Sequence, residues 1–173
     1  MSGTRKRKRR RAPEIALAVQ YGTRASRPPS AVKLRRWAAA ALRRNARVTL
    51  RLVGLREGRE LNRTFRGRDY ATNVLTFVYS DRPLEGDIAI CAPVVAREAA
   101  DRGIERDAHY AHLTVHGMLH LQGFDHVKAA DAVRMENLET RILAALGYAD
   151  PYREVAAPAR ARPRKPAAKS PPR

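Results

Sequence analysis

Arg47-Val-Thr-Leu-Arg-Leu-Val53 alternates polar and apolar residues from Arg47 to Leu52. Val48, Leu50 and Leu52 fall on one face; Arg47, Thr49 and Arg51 fall on the other. That is the period-2 pattern of a strand with one face buried. Gly54 ends it. Upstream, residues 14–20 read as a short strand, and Pro28 and Pro29 mark a loop. Ser30 is a side-chain cap for a helix through Val32, Leu34, Trp37, Ala41 and Leu42. Downstream, residues 57–65 predict a short helix and 66–73 a polar loop. Residues 74–79 and 86–91 read as strands joined by a turn at 81–83, a hairpin. Pro93 suits the first turn of a helix that continues to about residue 101. Asp107 is expected to cap another, which reaches Leu121 and is stopped by Gly123. A last helix over 128–146 carries Met135, Leu138, Ile142 and Leu146 as its apolar stripe, and Gly147 ends it. Strands interspersed with helices predict an α+β fold: a small mixed four-stranded sheet with about five helices packed around it.

The chain has 173 residues, enough for one domain with its own core. Its single cysteine, Cys91, excludes an intrachain disulfide and suits a reducing compartment. The basic start is followed by no apolar region long enough for a signal peptide or a membrane span. The expectation is a cytoplasmic protein that does not enter a membrane. The net charge of +18 is unevenly spread. Residues 1–12 hold seven basic groups and no acid; 153–173 hold seven and one acid, Glu154. Both stretches are expected to be disordered, one basic and the other rich in Ala, Pro and basic residues. The domain is expected over 13–152, which still carries +5. Such a distribution points to a polyanionic partner such as nucleic acid.

The chemistry concentrates in His116-Gly-Met-Leu-His-Leu-Gln-Gly-Phe-Asp-His126. His116 and His120 stand four apart on a predicted helix, so both imidazoles project from one face. Gly123 lets the chain leave the helix with a positive φ, and the turn can bring His126 in as a third nitrogen. Three protein ligands leave one coordination position open, as in a catalytic zinc site rather than a closed structural one. The spacing is that of the metzincin proteases, with one member missing. Those enzymes place a glutamate after the first histidine as general base, where this chain has Gly117. Glycine takes no proton, so peptide hydrolysis is not expected. His112, one turn before His116, is a candidate for backing a ligand imidazole or for lining the cleft. Asp125 is a candidate for orienting an imidazole, and equally for capping the local turn. His109 is expected to be exposed and receives no role.

The same eleven-residue string resembles the signature of the YbeY family, bacterial endoribonucleases also called rRNA maturation factors. Leu61–Asp69, Thr72-Asn-Val-Leu-Thr-Phe77, Gly86-Asp-Ile-Ala-Ile-Cys91 and residues 139–152 are similar to the family in kind and in order. The resemblance spans roughly 14–152 and leaves out both basic stretches. Two positions depart: Val78-Tyr79 stands where many relatives place proline, and Thr76 where serine is common. The resemblance implies a metal-dependent, single-strand-specific endoribonuclease, with zinc as the usual metal at one ion per chain. It implies roles in small-subunit rRNA 3′-end maturation and ribosome quality control, with single-stranded RNA, rRNA and the small ribosomal subunit as partners. Protein partners are not indicated. The implied metal ligands are His116, His120 and His126, and the implied functional arginine is Arg66.

Arg66 also has a chemical case. A guanidinium grips phosphate oxygens bidentately and keeps its charge at any working pH. Near a metal it would stabilise charge developing on a phosphoryl group. Thr72 and Asp87 are weaker cleft candidates, and Asn73 equally a turn residue. The alternative expectation is a ribosome-assembly RNA-binding factor whose zinc is structural and which cleaves little.

Overall fold

The computed structural model describes residues 12–24 and 27–153; of the stretches 1–12 and 153–173 expected to be disordered, all but residues 12 and 153 lie outside them. The elements run β1 (Ile15–Tyr21), α1 (Ala31–Ala40), β2 (Ala46–Val53), α2 (Leu55–Arg66), β3 (Val74–Asp81), β4 (Leu84–Cys91), α3 (Ala92–Arg102), α4 (Arg106–Leu121) and α5 (Ala129–Leu146). The sheet order is β1-β2-β4-β3. β1, β2 and β4 are parallel, and β3 pairs antiparallel to β4 as the hairpin expected from the sequence. The mixed four-stranded α+β architecture is therefore the observed one.

Alternation on β2 does what the sequence requires. Val48, Leu50 and Leu52 are at most 2% exposed and meet Leu34, Trp37, Met118 and Leu119 in the main core. Burial of each large apolar side chain there is worth roughly 1.5–3 kcal/mol. β4 is buried on both faces. Ile88 and Ile90 join the main core, while Ala89 and Cys91 pack with Val53, Leu75 and Val94 in a smaller one. The second half of β4, Ile88-Ala-Ile-Cys91, is apolar on both faces for this reason.

Ser30 caps α1 by accepting the Lys33 N–H, as expected. Two expected caps and boundaries change. Asp107 does not cap α4: Glu105 holds that position without a side-chain bond, and Asp107 lies in the first turn paired with Lys33. α2 runs through Arg66 to a left-handed Gly67 at φ +66°, so Arg66 is the last helical residue rather than a loop residue. The positive φ, rather than the polarity of 66–73, sets where the helix stops.

α4 is the central helix. It is buried on nearly every side, against α1, α3, α5, β3 and β4. Gly117 is where it crosses the sheet: a Cβ there would meet Ile88 Cγ2 at 3.0 Å, Ile88 Cδ1 at 3.1 Å and Thr76 Cγ2 at 3.3 Å. The position after the first histidine thus faces the sheet, and a glutamate would not fit without displacing it. Among the described residues no helix is long and apolar enough to cross a membrane.

Candidate metal centre and cleft

The face of α4 that the core leaves half-exposed carries His112, His116 and His120 at successive turns. Beyond His120 the chain turns at Gly123, φ +88°. The Gly123 and Phe124 N–H groups donate to His120 O and Leu119 O, closing the helix end. Gln122 pins the turn from behind: its Nε2 donates to Ala41 O and Met118 O, and its Oε1 accepts the Arg43 N–H. His126 is thereby returned to the two helical histidines. Ring centroids lie 4.5 Å apart for His116–His120, 4.9 Å for His120–His126 and 5.7 Å for His116–His126. One ring nitrogen of each lies within 4.8 Å of the others.

Glu139, on α5, stands behind this cluster and is fully buried. Its Oε1 accepts from His116 Nδ1 at 2.8 Å and its Oε2 from His112 Nε2 at 3.2 Å; the Tyr152 hydroxyl donates to Oε2 as well. Burial would raise the Glu139 pKa, but the bonds from His112, His116 and Tyr152 outweigh it and hold the carboxyl low, at about 2. An ionised carboxylate only accepts, so His116 Nδ1 carries its proton and Nε2 is left as the nitrogen able to bind an ion. Burial, with the neighbouring His116 and His126 imidazoles, pushes the His120 pKa down to about 4. That ring is therefore an unprotonated donor near neutral pH. His116 and His120 so prepared, with a ring nitrogen of His126 within 4.8 Å of theirs, fit a borderline divalent cation such as zinc.

The three histidines open onto a cleft of about 590 Å³. Its lining includes Gly123, Asp125 and Val127 from the turn, Thr76 from β3, and Arg66 from the end of α2. Arg66 is exposed and donates from Nη2 to Thr76 O at 3.3 Å. Two stretches far apart in sequence, 66–76 and 116–127, thus bring Arg66 to one cavity with His116, His120 and His126. Asp125 also lines it, and its Oδ1 accepts the His126 N–H at 2.7 Å, a local bond of the capping kind.

The other candidates lie elsewhere. His112 lines a separate cavity of about 250 Å³, whose lining includes none of His116, His120 and His126. Asp87 accepts from the Tyr79 hydroxyl at 2.8 Å and lines a pocket with Phe65 and Phe77. Neither Asp87 nor Thr72 lines the histidine cleft. Asn73 fixes the start of β3: its Oδ1 accepts the Val74 N–H, and its Nδ2 donates to Glu98 Oε2. His109, expected to be exposed, is 3% exposed, with Nε2 2.7 Å from Glu98 Oε2. The α3–α4 packing encloses it, and burial lowers its pKa despite Glu98.

The sequence model of the family described as Endoribonuclease YbeY matches residues 30–147. A relative named endoribonuclease YbeY from Aromatoleum aromaticum is 59% identical over 142 residues, covering 80% of this chain and 92% of its own. Another, from Nitrosomonas eutropha, is 54% identical over 137 residues, covering 79% and 97%. A Thermotoga maritima protein of known solution structure shares the fold at a TM-score of 0.51 and 22% identity, over 79% of this chain and 99% of that one. By its sequence, the chain belongs to the endoribonuclease YbeY family.

Proposed function

We propose that the chain is a zinc-dependent endoribonuclease that cuts single-stranded RNA. We further propose that it acts in the cytoplasm, in small-subunit rRNA 3′-end maturation and in ribosome quality control. The observation that carries the reading is the convergence of three imidazoles and one exposed guanidinium on a single open cleft. The relatives' shared name supplies the substrate class.

In this reading His116, His120 and His126 hold the ion, with Glu139 fixing the ring of His116. Zinc there would supply a Lewis acid and acidify a water at neutral pH. Arg66 grips a non-bridging phosphate oxygen and neutralises the charge that develops on it. Asp125 is the sole carboxylate among the described residues lining the cleft, and one of its oxygens is held by the His126 N–H. Its other oxygen is the acceptor available for a proton. Gly117 offers none, and its Cβ direction points into the sheet.

The openness of the cleft and the exposure of His126 favour this reading over a closed structural zinc. The test is cleavage of labelled single-stranded and duplex RNA by the full chain, with and without chelator, alongside His120→Ala. Metal-dependent cutting of the single strand, lost in His120→Ala, is expected. Binding without cutting under every metal tried would replace the enzyme with an RNA-binding factor.

A further inference from the structure

Residues 150–152 leave the end of α5 and fold back across α4 and α5. Asp150 Oδ1 accepts from Thr140 Oγ1 at 3.1 Å and from the Tyr152 N–H at 3.0 Å. Pro151 O accepts from Arg102 Nη2 at 2.6 Å. These bonds tie the strap to α5 and α3. They place the Tyr152 ring edge-on to His112, with centroids 5.5 Å apart, and its hydroxyl on Glu139 Oε2. The hydroxyl belongs to the buried carboxylate even though the residue as a whole is 43% exposed. The region matched by the family model ends at 147, before the strap begins.

Glu139 receives two donors from α4, His116 Nδ1 and His112 Nε2. Both come from one helix, so they hold the carboxylate from one direction only. The Tyr152 hydroxyl comes from a different segment and is the second donor to Oε2, the oxygen that His112 also holds. Rotation of the carboxylate would carry the His116 ring with it, because Oε1 is the partner of Nδ1. Partners that orient a ligand imidazole from behind typically change metal affinity by about 10- to 100-fold when removed.

We propose that Tyr152 is a positioning residue of the histidine site, fixing Glu139 and through it the His116 ring that presents Nε2 to a divalent cation. The inference rests on the metal-binding reading above. The strap is then part of the metal centre.

The experiment uses the full chain and zinc, with affinity measured by competition against a chromophoric chelator, and the absorption of the cobalt-substituted protein as a signature of ligand geometry. Tyr152→Phe removes only the hydroxyl and should weaken zinc binding about tenfold. Glu139→Gln should weaken it further. Adding Tyr152→Phe to Glu139→Gln should change little more, because the effect travels through Glu139. Tyr21→Phe is the control, since that hydroxyl donates to Pro29 O, and it should bind zinc as the unaltered chain does. A tyrosine that merely packs would shift the unfolding temperature of the metal-free chain and leave affinity and the cobalt spectrum unchanged. That result, or an equal additive loss in the Glu139→Gln background, overturns the proposal. If the unaltered chain binds zinc and His120→Ala does not, while Tyr152→Phe binds normally, only the role of Tyr152 falls. If the unaltered chain binds no zinc, the metal reading falls and takes this one with it.

Discussion

Glu139 Oε1 lies 2.8 Å from His116 Nδ1, on a carboxylate with no exposure to solvent. The two residues come from different helices, α4 and α5, and the same carboxylate also takes His112 and Tyr152. A buried charge is tolerable only when it is fully bonded, as this one is. Replacing it by a hydrocarbon leaves three polar groups without their acceptor. Glu139→Leu should therefore destabilise the metal-free chain by about 3–5 kcal/mol. Glu139→Gln, which keeps an acceptor oxygen and the side-chain shape, should cost clearly less. Denaturant unfolding of both variants in chelator checks the order.

Stability of the metal-free chain should fall as pH drops from about 6.5 to about 4. Unfolded His120 takes a proton at its ordinary 6.5, whereas in the fold burial and the adjacent imidazoles delay protonation to about 4. Across that window the unfolded state binds more protons, so stability rises with pH. Glu139 acts in the same direction at lower pH. Its contribution is complete above its ordinary 4.5 and is lost as pH falls through about 2. Urea midpoints in chelator at pH 7, 5 and 4 test this; a midpoint that holds constant or climbs on acidification contradicts it.

Gly117 should resist substitution for packing reasons alone. Its missing Cβ is 3.0 Å from Ile88 Cγ2, and Ile88 is fully buried. Gly117→Ala gains about 1 kcal/mol of helix propensity but crowds a core that has no room, at a typical cost of 1–3 kcal/mol. A small net loss is expected. Gly117→Glu would complete the protease-like motif on paper, yet it drives a carboxylate into the sheet. It should lower the unfolding temperature steeply and create no peptidase activity. A well-folded Gly117→Glu would show that α4 can lift from the sheet.

The sheet and the three histidines are legible in the sequence because their signals are local. β2 alternates, Ser30 sits three residues before the N–H it accepts, and the His116–His120–Gly123–His126 spacing encodes helix, stop and return. Glu139 was harder to read because its meaning is non-local. It lies four residues after Met135 and four before Leu143, the other two buried residues of α5. A lone acid on the buried face of an apolar helix was the available signal. A stripe drawn through Met135, Leu138, Ile142 and Leu146 passes it by. The burial of His109 is illegible for the same reason: its carboxylate partner, Glu98, comes from α3. Arg66 reads as a loop residue from its polar surroundings, whereas the left-handed Gly67 sets the helix end one residue beyond it.

The two basic stretches should add affinity for RNA without adding chemistry. They hold most of the net charge, and every described residue lining the cleft lies between them. A chain limited to residues 12–153 keeps Tyr152 and should cut RNA at the same maximal rate as the full chain. Its binding should be weaker and should fall less steeply with salt, because fewer phosphate counterions are released. Normal folding with no cleavage at saturating RNA would assign those stretches a catalytic part.

Arg66 distinguishes an enzyme from a binding factor. It ends α2, is exposed, and lines the histidine cleft beside Thr76. Arg68 is close by in sequence, also exposed, but points its Nη1 to the Tyr70 hydroxyl at 3.4 Å and does not line the cleft. If Arg66 neutralises charge that appears only as the phosphodiester breaks, its loss lowers turnover more than binding. Many other cations remain to hold the RNA. Arg66→Ala should keep its metal and most of its RNA affinity while losing on the order of a hundredfold or more in cleavage. Arg66→Lys should recover only part, since an ammonium cannot reproduce the planar fork. Arg68→Ala should weaken binding slightly and leave turnover near normal. Single-turnover cleavage and equilibrium RNA binding, measured on all three variants, separate these effects. Small and equal losses at Arg66 and Arg68 would mean that both serve only as surface charge, and the cleft would then be a place where RNA rests rather than one where it is cut.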